Sequence, residues 1–192
     1  EVKNDMQSET ASAAPPLFSI IIPAYDEKRF LPQSLACAKA AIEQLGAPVE
    51  IIVVDNCSED STPEIARAAG ARVVSEPAKN LSKIRNRGAQ EARAQYLVFV
   101  DADSYMAPNM LVEIRKVLDR GKHVGGGVAN VTTDRMSLGI SLTFLLALPY
   151  ALWIRTSVCL FYLPRATFFA IGGFNEERYA LEDVDFAQRM RH

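Results

Sequence analysis

Four short apolar runs, each ending in small polar or acidic residues, constrain this chain more than any other feature. They are Phe18 to Ile22, Val49 to Val54, Arg72 to Ser75 and Tyr96 to Val100. All are rich in β-branched residues and bounded by Pro, Asp or Gly, the signature of buried parallel strands. Helix-like stretches separate them. Phe30 to Leu45 places Leu31, Leu35, Ala38, Ile42 and Leu45 at helical spacing, with Gly46 and Pro48 as a stop. Thr62-Pro63 reads as an N-cap followed by Pro at the first helical position, opening a helix to about Ala69. Leu81 to Ala94 and Asn109 to Leu118 supply two more. The first 120 residues therefore alternate βαβαβαβ, which predicts an α/β fold with an open, mostly parallel sheet flanked by helices.

With 192 residues, 49% of them hydrophobic, one domain with a sizeable core is expected. Glu1 to Pro16 mixes Ser, Thr, Ala, Pro and acidic residues without an apolar run and reads as a disordered leader, residues 1–16. Lys and Arg number 21 against 23 Asp and Glu, a formal charge of −2, so no nucleic-acid partner is expected. Cys37, Cys57 and Cys159 form no C-x-x-C pair, which argues against a disulfide framework and a thiolate metal site. A reducing, cytoplasmic setting follows as the expectation.

In open α/β sheets ligands bind beyond the carboxyl ends of the strands. That rule puts Pro23 to Glu27, Asp55 to Ser58 and Asp101 to Ser104 on one rim. Crowded carboxylates repel unless a cation or donor groups offset them. In Asp101-Ala102-Asp103 the side chains at i and i+2 of an extended chain share a face, so both carboxylates can reach one hard cation and its diphosphate. The alternative is a turn in which Asp caps the next helix. D-x-D alone is a weak pattern, strengthened here by its place at the mouth of an apolar strand.

Four blocks carry a family resemblance. They are Ser-Ile-Ile-Ile-Pro-Ala-Tyr-Asp-Glu (19 to 27), Ile-Ile-Val-Val-Asp-Asn-Cys-Ser-Glu-Asp-Ser-Thr (51 to 62), Arg-Asn-Arg-Gly (85 to 88) leading to Val-Asp-Ala-Asp (100 to 103), and Gly-Gly-Phe-Asn-Glu (172 to 176) leading to Glu-Asp-Val-Asp (182 to 185). In order and spacing they resemble the inverting family 2 glycosyltransferases of the GT-A fold, from Leu17 to Arg191. The resemblance implies one domain over residues 17–192, with a nucleotide-binding part at about 17–104 and an acceptor part at about 105–192. It also implies a nucleotide-sugar donor, a UDP-sugar by preference, and a sugar, lipid-linked or other hydroxyl acceptor.

By the same resemblance, Pro23, Ala24, Tyr25 and Glu27 match the loop that cradles base and ribose. Asp55 and Asn56 match the pair whose second member contacts a uracil edge; Asn stands where Asp is commoner, and an amide both donates and accepts there. Lys83 and Arg85 match the segment near the donor phosphates, with a solvated helix face as the alternative. Asp101, with Ala102, is implied to face ribose and metal, and Asp103 to be the main protein ligand of Mn2+ or Mg2+. Asp183 matches the catalytic base. An acceptor hydroxyl must lose its proton as it attacks the anomeric carbon, and a carboxylate within hydrogen-bond reach can take it. The alternative for Glu182 and Asp185 is an acidic helix N-terminus favoured by the macrodipole.

Between Arg135 and Arg155 no charged residue occurs. A single membrane crossing there would separate the metal motif from the base, so Met136 to Ile154 is expected to be a buried, re-entrant or interfacial element. Peripheral contact with the inner face of the cell membrane through residues 136–154 is one expectation; a helix packed on the sheet or on a homodimer partner is the other. Two rival functions stay open at this point. A nucleotidyltransferase would carry a Gly-rich loop early, whereas Pro23 to Phe30 has no glycine. A catalytically silent domain binding nucleotide or membrane would keep the fold without the base.

Overall fold

The computed structural model describes residues 15–121, 125–127, 160–178 and 181–190. Strands β1 (Phe18–Ala24), β2 (Val49–Asp55), β3 (Arg72–Ser75) and β4 (Tyr96–Val100) pair in parallel. The remaining two, β5 (Gly126–Gly127) and β6 (Leu160–Pro164), have no assignment in the sequence reading. β6 runs antiparallel to β4, with Val100 opposite Leu160, and β5 pairs antiparallel with β6. The order across the sheet is β3-β2-β1-β4-β6-β5. β1, near the middle, is buried along its whole length, as its unbroken apolar run requires.

Helices α1 (Leu31–Leu45), α2 (Thr62–Ala68) and α4 (Met110–Asp119) share one core with β1, through Leu31, Leu35, Ala66, Leu111 and Ile114. The opposite face packs against α3 (Leu81–Glu91), α5 (Arg165–Ala170) and α6 (Glu182–Arg189), where Phe161, Phe168, Phe174 and Phe186 interlock. Gly88 sets the closeness of α3 to the sheet. A Cβ there would lie 2.4 Å from Cγ2 of Ile21 and 2.9 Å from Cγ2 of Val54, so this turn of the helix touches the strands backbone-first.

Most boundaries match the expected ones within a residue or two, and two differences have physical causes. Ser61, not Thr62, occupies the cap position of α2, because the Thr62 hydroxyl is used elsewhere: it accepts from the Glu27 N–H at 2.8 Å and donates to Asp60. α3 stops at Glu91 rather than Ala94. There Arg72 donates to the Glu91 backbone oxygen and, at 2.8 Å, to its carboxylate, filling an orphan carbonyl at the helix end. Met136 to Ile154 lies outside the described residues; among those described, no helix is long and apolar enough to cross a membrane.

Candidate active site

The loops after β1 and β2 are tied by side chains that accept backbone N–H groups. Asp26, at φ 53°, accepts from Glu59 at 2.8 Å and Asp60 at 3.3 Å, while its own N–H donates to Ser58 at 3.0 Å. Lys28 N–H donates to Asp60 at 3.2 Å. This lattice holds Pro23 and buried Ala24 at the strand end, with Tyr25 half exposed above them. The nearby charges of Asp26 and Glu59 push the Tyr25 phenol up.

Asp55 and Asn56 are both buried beside Ala24. Asp55 accepts from the Ser58 N–H at 3.3 Å. The Asn56 amide donates to the backbone oxygens of Glu76 at 2.5 Å and Ala78 at 2.9 Å. Both amide hydrogens are therefore used, and toward a base edge this side chain can only accept. The same contact explains Asn where a carboxylate would be expected, since Asp would face two carbonyl oxygens with no proton to offer.

Asp101-Ala102-Asp103 is a tight turn rather than the extended run expected, because the Ser104 N–H donates back to the Asp101 backbone oxygen at 3.0 Å. The Ser34 hydroxyl pins the turn to α1 through the Ser104 oxygen, also at 3.0 Å. The next helix starts at Met110 with Asn109 at its cap position, so neither aspartate caps it. Ala102 anchors the turn in the core, Asp101 is half-buried and Asp103 is exposed. Burial, then the negative charges of Asp103, Asp60 and Asp101, raise the Glu27 carboxyl above its ordinary range. The loops thus concentrate negative charge that a divalent cation would relieve, which fits Asp103 and Asp101 as its protein ligands. Among the described residues no three His, Cys, Asp or Glu side chains are grouped to hold a metal unaided. Donor phosphates and water would complete such a shell.

On the other side of the rim stands α6. Glu182, Asp183 and Asp185 all occupy its first turn, yet their contacts separate them. Asp185 is bridged by Arg189 at 2.8 Å and Arg178 at 3.2 Å and belongs to the scaffold. Asp183 instead faces the Asp101-Ala102-Asp103 turn through Arg85, whose Nη1 lies 2.6 Å from Asp183 Oδ1 and whose Nη2 lies 3.0 Å from Asp101 Oδ1. Glu182 is 3.7 Å from the same guanidinium. Burial pushes the Asp183 carboxyl up, Arg85 pulls it back, and Glu182 and Asp101 push it up again; the balance is upward.

Lys83 is exposed, as either a solvated face or a phosphate contact requires, whereas the solvated-face alternative fails for Arg85, which is 3% exposed. Two residues that position the site escape sequence reasoning. Asn86 clamps the backbone of Phe174, donating to its oxygen and accepting from its N–H, both at 2.9 Å. Asn80 caps α3 by accepting from Lys83 N–H and reaches the Glu176 oxygen at 3.0 Å. Asn86 lies inside the Arg-Asn-Arg-Gly block and Asn80 five residues before it, which is the signal the sequence offers for them.

Comparison with known proteins places this geometry. An undecaprenyl-phosphate 4-deoxy-4-formamido-L-arabinose transferase of Pseudomonas syringae pv. syringae is 31% identical over 126 residues, 60% of this chain and 36% of that protein. The chain thus spans about a third of the length of the curated relatives it matches. Among solved structures, Staphylococcus aureus TarS residues 1–349 in complex with UDP-GlcNAc superposes with a TM-score of 0.70 at 20% identity, covering 91% of this chain and 53% of that one. The Pyrobaculum calidifontis mannosyltransferase PcManGT, in complex with GDP-Man and Mn2+, gives 0.69 at 20% identity over 93% of this chain and 54% of that one. At that identity the superpositions show the GT-A fold. The model of "Glycosyl transferase family 2" matches residues 19–180, short of the Glu182–Asp183 pair. With most of its length inside that match, the chain belongs to glycosyl transferase family 2.

Proposed function

We propose that this chain moves a sugar from a nucleotide-diphosphate donor, a UDP-sugar, to an acceptor hydroxyl with inversion. One observation carries the reading: Asp101 of the nucleotide half and Asp183 of the acceptor half, far apart in sequence, converge on one buried arginine. A donor seated at Asp101 would have its anomeric carbon within reach of a hydroxyl held by Asp183. The loop of Pro23, Ala24, Tyr25 and Glu27 would receive base and ribose, and Asn56 Oδ1 would accept from an imide N–H such as that of uracil. Asp103, with the free oxygen of Asp101, would hold Mn2+ or Mg2+. When bound, that ion supplies positive charge to the departing diphosphate. Exposed Lys83 can add a second charge there.

Asp183 takes the acceptor proton as the oxygen attacks, and its raised pKa suits that task. Attack opposite the leaving nucleotide inverts the anomeric centre with no covalent enzyme intermediate. A membrane-borne acceptor at the cytoplasmic face is supported by the undecaprenyl-phosphate named for the Pseudomonas relative and by the uncharged stretch of residues 136–154; a phosphate oxygen is already ionised, so the base role of Asp183 belongs to an acceptor that presents a hydroxyl. Release of UDP from UDP-GlcNAc or UDP-glucose, measured with Mn2+, tests the reading. Asp103→Ala is expected to abolish it. An unchanged rate would remove the metal assignment, and UDP binding without turnover would favour the silent domain.

A further inference from the structure

We propose that Arg85 is the positioning residue that fixes the base against the donor half of the site, a role that rests on the transfer reading above. The observations concern how one planar group is held. The Arg85 guanidinium meets Asp183 with one nitrogen and Asp101 with the other, at 2.6 and 3.0 Å, so its rigid fork sets the spacing between the two carboxylates. A lysine ammonium at the same place would keep the charge and lose that spacing.

The fork rests on packed aromatic rings. The guanidinium lies over the Phe174 ring at 5.2 Å, and Phe174 stacks on Phe186 of α6 at 4.1 Å and 22°. Asn86, the next residue of α3, holds the Phe174 backbone at both its polar atoms. One turn of α3 thus grips the base side chain through Arg85 and the strap leading toward its helix through Asn86. Stability is a poor explanation for a charge so placed. Arg85 Nε has no hydrogen-bond partner among the described residues, and buried ion pairs are often replaceable by apolar side chains at no cost to the fold. Lys83, two residues earlier and exposed, is available to meet phosphate in its place.

The test is a double-mutant cycle on the full chain, with UDP-GlcNAc, UDP-glucose and GDP-mannose plus Mn2+ as probes for turnover and UDP plus Mn2+ for calorimetry. Arg85→Lys is expected to lower kcat roughly 10- to 100-fold, as about 1 Å of misplacement does, while KM and UDP affinity stay within about 3-fold. In an Asp183→Asn background the same substitution should change the residual rate by less than about 3-fold, because its effect passes through the base. Equal losses in both backgrounds, or a loss confined to KM and UDP affinity, would overturn the proposal and make Arg85 a phosphate contact. If Arg85→Lys fails to fold by circular dichroism, Phe174→Leu keeps the apolar packing and removes the ring beneath the guanidinium. It should show the same kcat loss with UDP affinity intact, and an unchanged kcat would overturn the idea. A wild-type chain that neither binds UDP nor turns over any probe overturns the transfer reading and this inference together. An active wild type indifferent to both substitutions overturns this inference alone.

Discussion

Each rim of the sheet carries an arginine that bridges two carboxylates, and the two bridges behave oppositely. At the amino rim Arg72 joins Glu50 at 3.3 Å and Glu91 at 2.8 Å. Burial alone would raise the Glu50 carboxyl, but the Ser19 hydroxyl at 2.5 Å, the Arg93 N–H at 2.6 Å and Arg72 together hold it below its ordinary range. At the carboxyl rim Asp183 has Arg85 as its one hydrogen-bonding partner among the described residues, and burial, with the charges of Glu182 and Asp101, outweighs it and raises the pKa. Neutral donors make the difference. Where they surround a carboxylate, they stabilise its charge and strengthen the fold; where they are missing, the carboxylate keeps an appetite for protons.

The sharpest way to break this contrast is to neutralise each rim in turn. Asp183→Asn is expected to cut turnover by about 10²- to 10⁴-fold with UDP affinity retained, as loss of a general base does. Glu50→Gln should leave kcat within about 2-fold; comparable losses in steady-state assays of the two variants would erase the distinction. A smaller effect separates the rims by stability. Glu50→Gln should cost about 1–3 kcal/mol in urea unfolding near pH 7, since charged hydrogen bonds are lost. Because the folded pKa of Glu50 is depressed, its stabilisation is present above the unfolded value and fades as pH falls through the folded one. The cost should therefore shrink in acid; a cost that grows toward acid would contradict the assignment. The smallest effect is a shift in a profile. Turnover should fall as pH drops through the raised pKa of Asp183, and Glu182→Gln, which removes a charge that raises it, should move that limb to lower pH. A limb displaced upward would argue against Asp183 as the titrating base.

Much of the fold is legible in the sequence because parallel strands buried on both faces leave unbroken apolar runs. Gly46 at φ 64° closes α1 where a left-handed residue is needed, and the sequence marks that end plainly. What escapes the sequence is whatever depends on a partner distant in the chain. Thr62 looks like a cap, yet its hydroxyl answers an N–H of the preceding loop. Arg85 looks like any exposed helix cation until Gly88 lets α3 down onto Ile21 and Phe174 closes over it. Asp183 is legible only through family resemblance; its pairing with Asp101 requires the sheet to be built. Leu160 to Pro164 is set off from the uncharged stretch by Arg155, Thr156 and Ser157 with no Gly or Pro between them, so its strand carries only a weak boundary signal.

The antiparallel turn of β6 carries a consequence for how such a catalyst can be altered. Leu160 lies opposite Val100, next to the Asp101 turn, and Gly127 lies opposite Phe161. Gly127 and Leu160 therefore both stand at the same rim, beside the Asp101 turn. Those two anchors would let residues 128–159 be exchanged while the paired strands on either side keep their register, and circular dichroism of such a chimaera checks this.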